Sequence, residues 1–177
     1  MKKFAVFALL LSMSIPLFAL GTGIGIGAYG GIEMMVPDVE DAETQNFIAI
    51  GGIVDFSLPG IPIGLRGGFE YSWKSDSLPS VGDVKYTDML ILLAGQYNVV
   101  LPGAPMSFYL GAGGEMMMAS SDIEGSESET DFGFLAYAGA CYSMGTLGIF
   151  AEVGYGMIFS DPSVTHIPIR GGIKINL

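Results

Sequence analysis

The chain has 177 residues, room for one domain, and it joins 50% hydrophobic residues to only 14% charged ones at a mean hydropathy of +0.53. That balance excludes a disordered chain and is too poor in charge for a water-soluble surface of this size. The net charge of −11 excludes nucleic acid as a partner, and the lone Cys141 excludes an internal disulfide or a cysteine-based zinc site.

The chain opens with Lys2-Lys3, an apolar run from Phe4 to Leu17 broken by Ser12, Ser14 and Pro16, and then small residues. This is the layout of a secretory signal peptide over residues 1–19, with Gly21 as a second cleavage point, followed by a mature domain over 20–177. A retained membrane anchor would need a longer, unbroken run.

Beyond the leader the apolar residues recur with period two, the signature of strands with one greasy face. Ile24, Ile26, Ala28, Gly30, Ile32 and Met34 oppose Gly25, Gly27, Tyr29, Gly31 and Glu33. Ile48, Ile50, Val54 and Phe56 oppose Ala49, Gly51, Ile53 and Asp55. Between Gly60 and Trp73, one face reads Ile61, Ile63, Leu65, Phe69, Tyr71, Trp73 and the other Pro62, Gly64, Arg66, Gly68, Glu70, Ser72. The same division holds for Asp88–Val99, Met106–Met116, Leu147–Phe159 and His166–Leu177. Asp131–Ser143 is ambiguous, because Phe132, Phe134 and Tyr142 compete with Leu135, Tyr137 and Cys141 for the apolar face. Each segment is long enough for the ~9–11 residues of a tilted membrane strand.

The connections alternate. Leu58-Pro59-Gly60, Pro102-Gly103-Ala104-Pro105 and Gly145-Thr146 are tight turns, while residues 37–45, 74–83, 119–130 and 160–165 read as longer polar loops. Membrane barrels have short periplasmic turns and longer external loops. A helical membrane protein is the competing reading for the uncharged stretch Met89–Gly114, but Pro102 and Pro105 would break the helix. Propeller blades need four strands per repeat where each unit here holds two. The pattern therefore predicts an all-β fold, an eight-stranded antiparallel up-and-down transmembrane barrel preceded by a signal peptide.

The final segment, Arg170-Gly171-Gly172-Ile173-Lys174-Ile175-Asn176-Leu177, resembles the C-terminal assembly signal of outer-membrane proteins, ending in Leu177 where the commonest form has Phe or Trp. In pattern and layout residues 22–177 resemble the small barrel family that includes the OmpX, OmpW and OmpA membrane domains. The resemblance implies a monomer in the bacterial outer membrane, bathed in lipid and inserted by the barrel-assembly machinery through its last strand. It implies no single function, because this fold hosts anchors, adhesins, narrow channels and a few lipid-modifying enzymes.

Two groups of residues are candidates for function. Counted along the strands, Glu33, Asp55, Glu70, Asp88, Glu115 and Glu152 share the inward face with Arg66, Arg170 and Lys174, and burial demands that they pair in a network. The glycines on that face make room for Tyr29, Arg66, Tyr109 and Phe150 rather than cradle a phosphate. In the external loops, Asp38, Glu40, Asp41 and Glu43 crowd the first, and Asp122, Glu124, Glu127 and Glu129 the third. Neither loop matches a calcium-binding pattern, so both read as solvated surface, with no metal and no cofactor. His166, the only histidine, reads as a rim residue; with Ser160, Asp161 and Ser163 nearby a hydrolytic set is conceivable, but no local signature supports it. The expectation is a non-enzymatic barrel with a structural or surface-binding role through its acidic loops. The alternative is a narrow pore for small solutes or cations, and behind it a lipid-modifying enzyme.

Overall fold

The computed structural model describes residues 23–39, 43–57, 60–78, 82–122 and 128–177. The signal peptide expected over 1–19, and Glu40, Asp41, Glu124 and Glu127 of the acidic loops, lie outside the described residues.

Eight strands follow in chain order: β1 Gly23–Pro37, β2 Gln45–Ser57, β3 Ile63–Leu78, β4 Gly82–Val100, β5 Met106–Ser121, β6 Glu129–Met144, β7 Leu147–Ile158 and β8 Val164–Asn176. Each pairs antiparallel with the next, and β8 returns to β1 over a ladder from Gly25↔Asn176 to Pro37↔Val164. Closure leaves no strand edge, which a lipid environment demands because nothing there can satisfy a bare N–H or C=O.

The period-two rows sort cleanly onto the two sides of the wall. Leu65, Ile149 and Ile173 point outward and are 53%, 50% and 54% exposed, in a belt that also includes Ile50, Ile91 and Leu93. So continuous an apolar exterior is untenable in water and suits hydrocarbon. Ile24, at the foot of one outward row, is buried. Aromatic pairs stand on the long-connection side, Tyr71 with Trp73 at 5.7 Å and Phe134 with Phe159 at 6.1 Å between ring centroids, while Tyr97 and Phe108 face out near the short turns. Gly145, with φ of 67° in the two-residue turn between β6 and β7, holds a backbone conformation that a side chain would strain.

Two features differ from the sequence reading. The ambiguous strand β6 turns Phe132 and Phe134 outward and Leu135, Tyr137 and Cys141 inward. Inside, Tyr137 donates to Gln96 Oε1 at 3.3 Å, whereas Phe132 and Phe134 carry no hydrogen-bonding group and suit lipid. The second long loop is largely strand: Lys74 to Leu78 of β3 pairs with Tyr86 to Gly82 of β4, and β5 likewise continues to Ser121, opposite Tyr86. Ser75 and Lys85 interrupt the apolar row there, so the alternation seen lower in these strands is not legible in this hairpin.

Candidate functional site

The lumen is built from one residue in two along each strand, and its large side chains are seated opposite glycines. Tyr29 lies across from Gly51, Tyr109 from Gly139, Tyr137 from Gly111, and His166 from Gly156. At each of these glycines a Cβ would strike the ring opposite, so the glycines are the space in which the rings lie. An eight-stranded barrel has an interior only as wide as its side chains, and this one fills it by alternating large against nothing.

Arg66 sits at the centre of the lower half, 1% exposed. Its Nε and Nη2 donate to Asp55 Oδ1 and Oδ2 at 2.7 and 3.1 Å, and Asp55 is its direct partner across β2 and β3. Its Nη1 donates to Glu152 across the lumen. The guanidinium is flanked by Tyr109 and Tyr137, each ring centroid 4.9 Å away, an arrangement in which two π faces and two carboxylates replace water. Lys174 Nζ reaches Asp55 Oδ2 at 3.0 Å from below.

One layer higher, Arg170 donates through Nε to Glu70 Oε2 at 2.7 Å and through Nη1 to the other oxygen of Glu152 at 3.4 Å, with Tyr29 5.3 Å from its guanidinium carbon. Glu152 therefore serves both arginines and ties β7 to β3 and β8. Beside these ions runs an apolar wedge that includes Ile53, Leu90, Leu92 and Leu135.

Above it lies a group that the sequence reading treats differently. His166 is not a rim residue; it is 1% exposed and bridges two carboxylates, with Nδ1 2.7 Å from Glu33 Oε1 and Nε2 2.6 Å from Glu115 Oε1. Both ring nitrogens face acceptors, so the triad must hold a proton beyond that of a neutral imidazole with two carboxylates. The signal was available, since His166 shares the parity of Arg170 and Lys174 on the inward row. The same burial removes it from any partnership with Ser160 or Ser163, whose hydroxyls bond to local backbone.

Of the nine residues expected to form a charge network, Lys174, Asp55, Arg66, Glu152, Arg170 and Glu70 form one chain of ion pairs, and Glu33 and Glu115 join through His166. Asp88, buried on β4, belongs to neither set of ion pairs. In the long connections Asp38, Glu43, Asp122 and Glu129 are exposed. At the short-turn end a cavity of about 680 Å³ is lined by Ser57, Asn98, Ser107, Cys141, Lys174 and Asn176 among others.

No protein-family model matches the chain, and no curated protein matches it in sequence. Solved structures share its fold. Neisserial surface protein A is similar with a TM-score of 0.68 and 16% identity, over 86% of this chain and 96% of that one. Ail, the attachment invasion locus protein of Yersinia pestis, solved in complex with the heparin analogue sucrose octasulfate, gives 0.56 and 18% over 87% and 99%. The N-terminal β-barrel domain of Pseudomonas aeruginosa OprF gives 0.56 and 15% over 88% and 97%. The chain thus has the fold of the small eight-stranded outer-membrane barrels.

Proposed function

We propose that this is a non-enzymatic barrel of the bacterial outer membrane whose work is structural or surface binding, carried by its acidic external connections. The observation that carries the reading is the closed middle of the lumen. Tyr29, Arg66, Glu70, Tyr109, Tyr137, Phe150, Glu152 and Arg170 all point into it, and none is more than 8% exposed. Side chains tied to one another across the barrel leave the outer surface as the place to meet a partner.

The sign of that surface selects the partner. Asp38, Glu43, Asp122 and Glu129 are exposed at one end, and Glu40, Asp41, Glu124 and Glu127 belong to the same acidic connections. Like charges repel, so a sulfated polyanion of the kind bound to Ail is disfavoured, and a basic protein or peptide surface is favoured. In this reading residues 1–19 are the removed leader, the last strand is the handle for barrel assembly, and the mature barrel is a monomer in lipid.

The test uses the mature barrel in zwitterionic nanodiscs. It should bind immobilised polylysine in a salt-dependent way and leave heparin untouched, and the combination Asp38→Asn, Glu43→Gln, Asp122→Asn and Glu129→Gln should abolish the binding. Unchanged binding by that variant would defeat the loop assignment. In planar bilayers the barrel should give no steady openings; openings that respond to substitution of Arg66 would move the function to the pore.

A further inference from the structure

At the long-connection end the lumen carries a cluster of apolar side chains above the buried ions. Met35, Phe47, Met117 and Ile158 turn inward and pack together, with Tyr86 and Val164 partly buried against them. Barrel interiors near water are ordinarily polar. Here a cup of about 260 Å³ has Met35, Phe47, Met117 and Val164 on its apolar side and Asp88, Ser120, Ser121 and Glu129 on its polar side.

Asp88 is 7% exposed, and none of the ion pairs among the described residues includes it. The cations of the lumen are already committed. His166 is held by Glu33 and Glu115, Arg170 by Glu70 and Glu152, Arg66 by Asp55 and Glu152, and Lys174 by Asp55. A buried carboxylate without a counter-charge is costly, and that cost is relieved by whatever brings a positive charge to it. Glu129 lines the same cavity, so the approach to the cup is negative as well.

We infer that this cup is a binding site for a small monocationic amphiphile, its ammonium on Asp88 and its apolar body among Met35, Phe47 and Met117. Methionines adapt their shape to a guest, and the faces of Phe47 and Tyr86 favour a cation beside them. The volume lies below the ~300 Å³ at which drug-sized pockets begin, so the guest is a single ring or a short chain and not a whole lipid. The site lies in the lumen wall beneath the connections and stands or falls separately from the loop reading above.

The experiment titrates phenethylammonium, 2-phenylethanol and phenylacetate into the mature barrel in zwitterionic nanodiscs. Methyl NMR of methionine follows Met35 and Met117, their peaks identified with Met35→Leu and Met117→Leu. The ammonium compound should give saturable shifts at both methyls, at least tenfold tighter than the alcohol or the acid. Asp88→Asn should weaken it at least tenfold, and Met117→Trp, which fills the cup, should abolish it. Asp38→Asn with Asp122→Asn should leave the saturated shifts in place. Equal affinity for ammonium and alcohol, an unchanged affinity in Asp88→Asn, or shifts that never saturate would each overturn the assignment. Should Asp88→Asn not fold, the three-compound comparison on the unaltered barrel still decides.

Discussion

Asp55 and Arg66 face one another across β2 and β3 and are joined twice, at 2.7 and 3.1 Å, with both side chains buried. Removing one partner of such a pair strands the other in a dry lumen, at a cost of about 3–5 kcal/mol. Arg66→Ala should therefore lower the urea midpoint, read by the gel mobility of folded against unfolded barrel, by far more than Lys174→Ala, whose side chain is more exposed at 13%. Equal effects would deny Arg66 its central place.

His166→Leu leaves Glu33 and Glu115 without the ring that separates and joins them. The expected loss is about 3–5 kcal/mol for breaking the buried set, while replacing all three by apolar residues should be neutral or stabilising by about 1–4 kcal/mol. Urea titrations of the single and triple variants make the comparison. A single variant as stable as the parent would mean the triad holds nothing together.

Gly139 is the space in which the Tyr109 ring lies, and a Cβ there would also come within 2.7 Å of the Ala151 carbonyl oxygen. Gly139→Ala should cost about 1–3 kcal/mol through overpacking. Tyr109→Phe should cost much less, because the Tyr109 hydroxyl has no hydrogen-bond partner among the described residues. Tyr137→Phe, which loses the bond to Gln96, should fall between them at about 0.5–1.5 kcal/mol.

Leu92 and Leu93 are chain neighbours on opposite sides of the wall, 4% and 69% exposed. Leu93→Arg should impair insertion into lipid by about 2–4 kcal/mol if it lies at the midplane. Leu92→Ala should insert normally and lose about 2–5 kcal/mol to the cavity it leaves. Vesicle-insertion yield separates the two, and an inverted order would turn the strand inside out.

The strand count and the two faces were legible because a period of two survives any tilt or shear. What leaves the facing of β6 open in the sequence is the lumen's apolar wedge: Leu135 points inward and is fully buried, so that strand carries greasy residues on both sides. The upper parts of β3 and β4 are hidden for the reverse reason, since Ser75 and Lys85 break the apolar row. The inward charges could be read from parity, yet their partners could not. Arg66 meets Glu152 from 86 residues away and His166 meets Glu33 from 133, distances bridged only by the barrel's closure and stagger. His166 was misread because its place near a strand end outweighed its parity.

Three of the cationic groups that neutralise the interior, His166, Arg170 and Lys174, are all carried by the final strand. Until that strand docks, Glu33, Glu70 and Glu115 lack the partners they have in the finished wall, and an incomplete barrel is marked by raw negative charge inside. Completing the cylinder and cancelling its internal field are then one event. A slip of two residues would keep the greasy side outward but set each cation beside the wrong acid, so the ions proofread an alignment that oiliness alone would let pass.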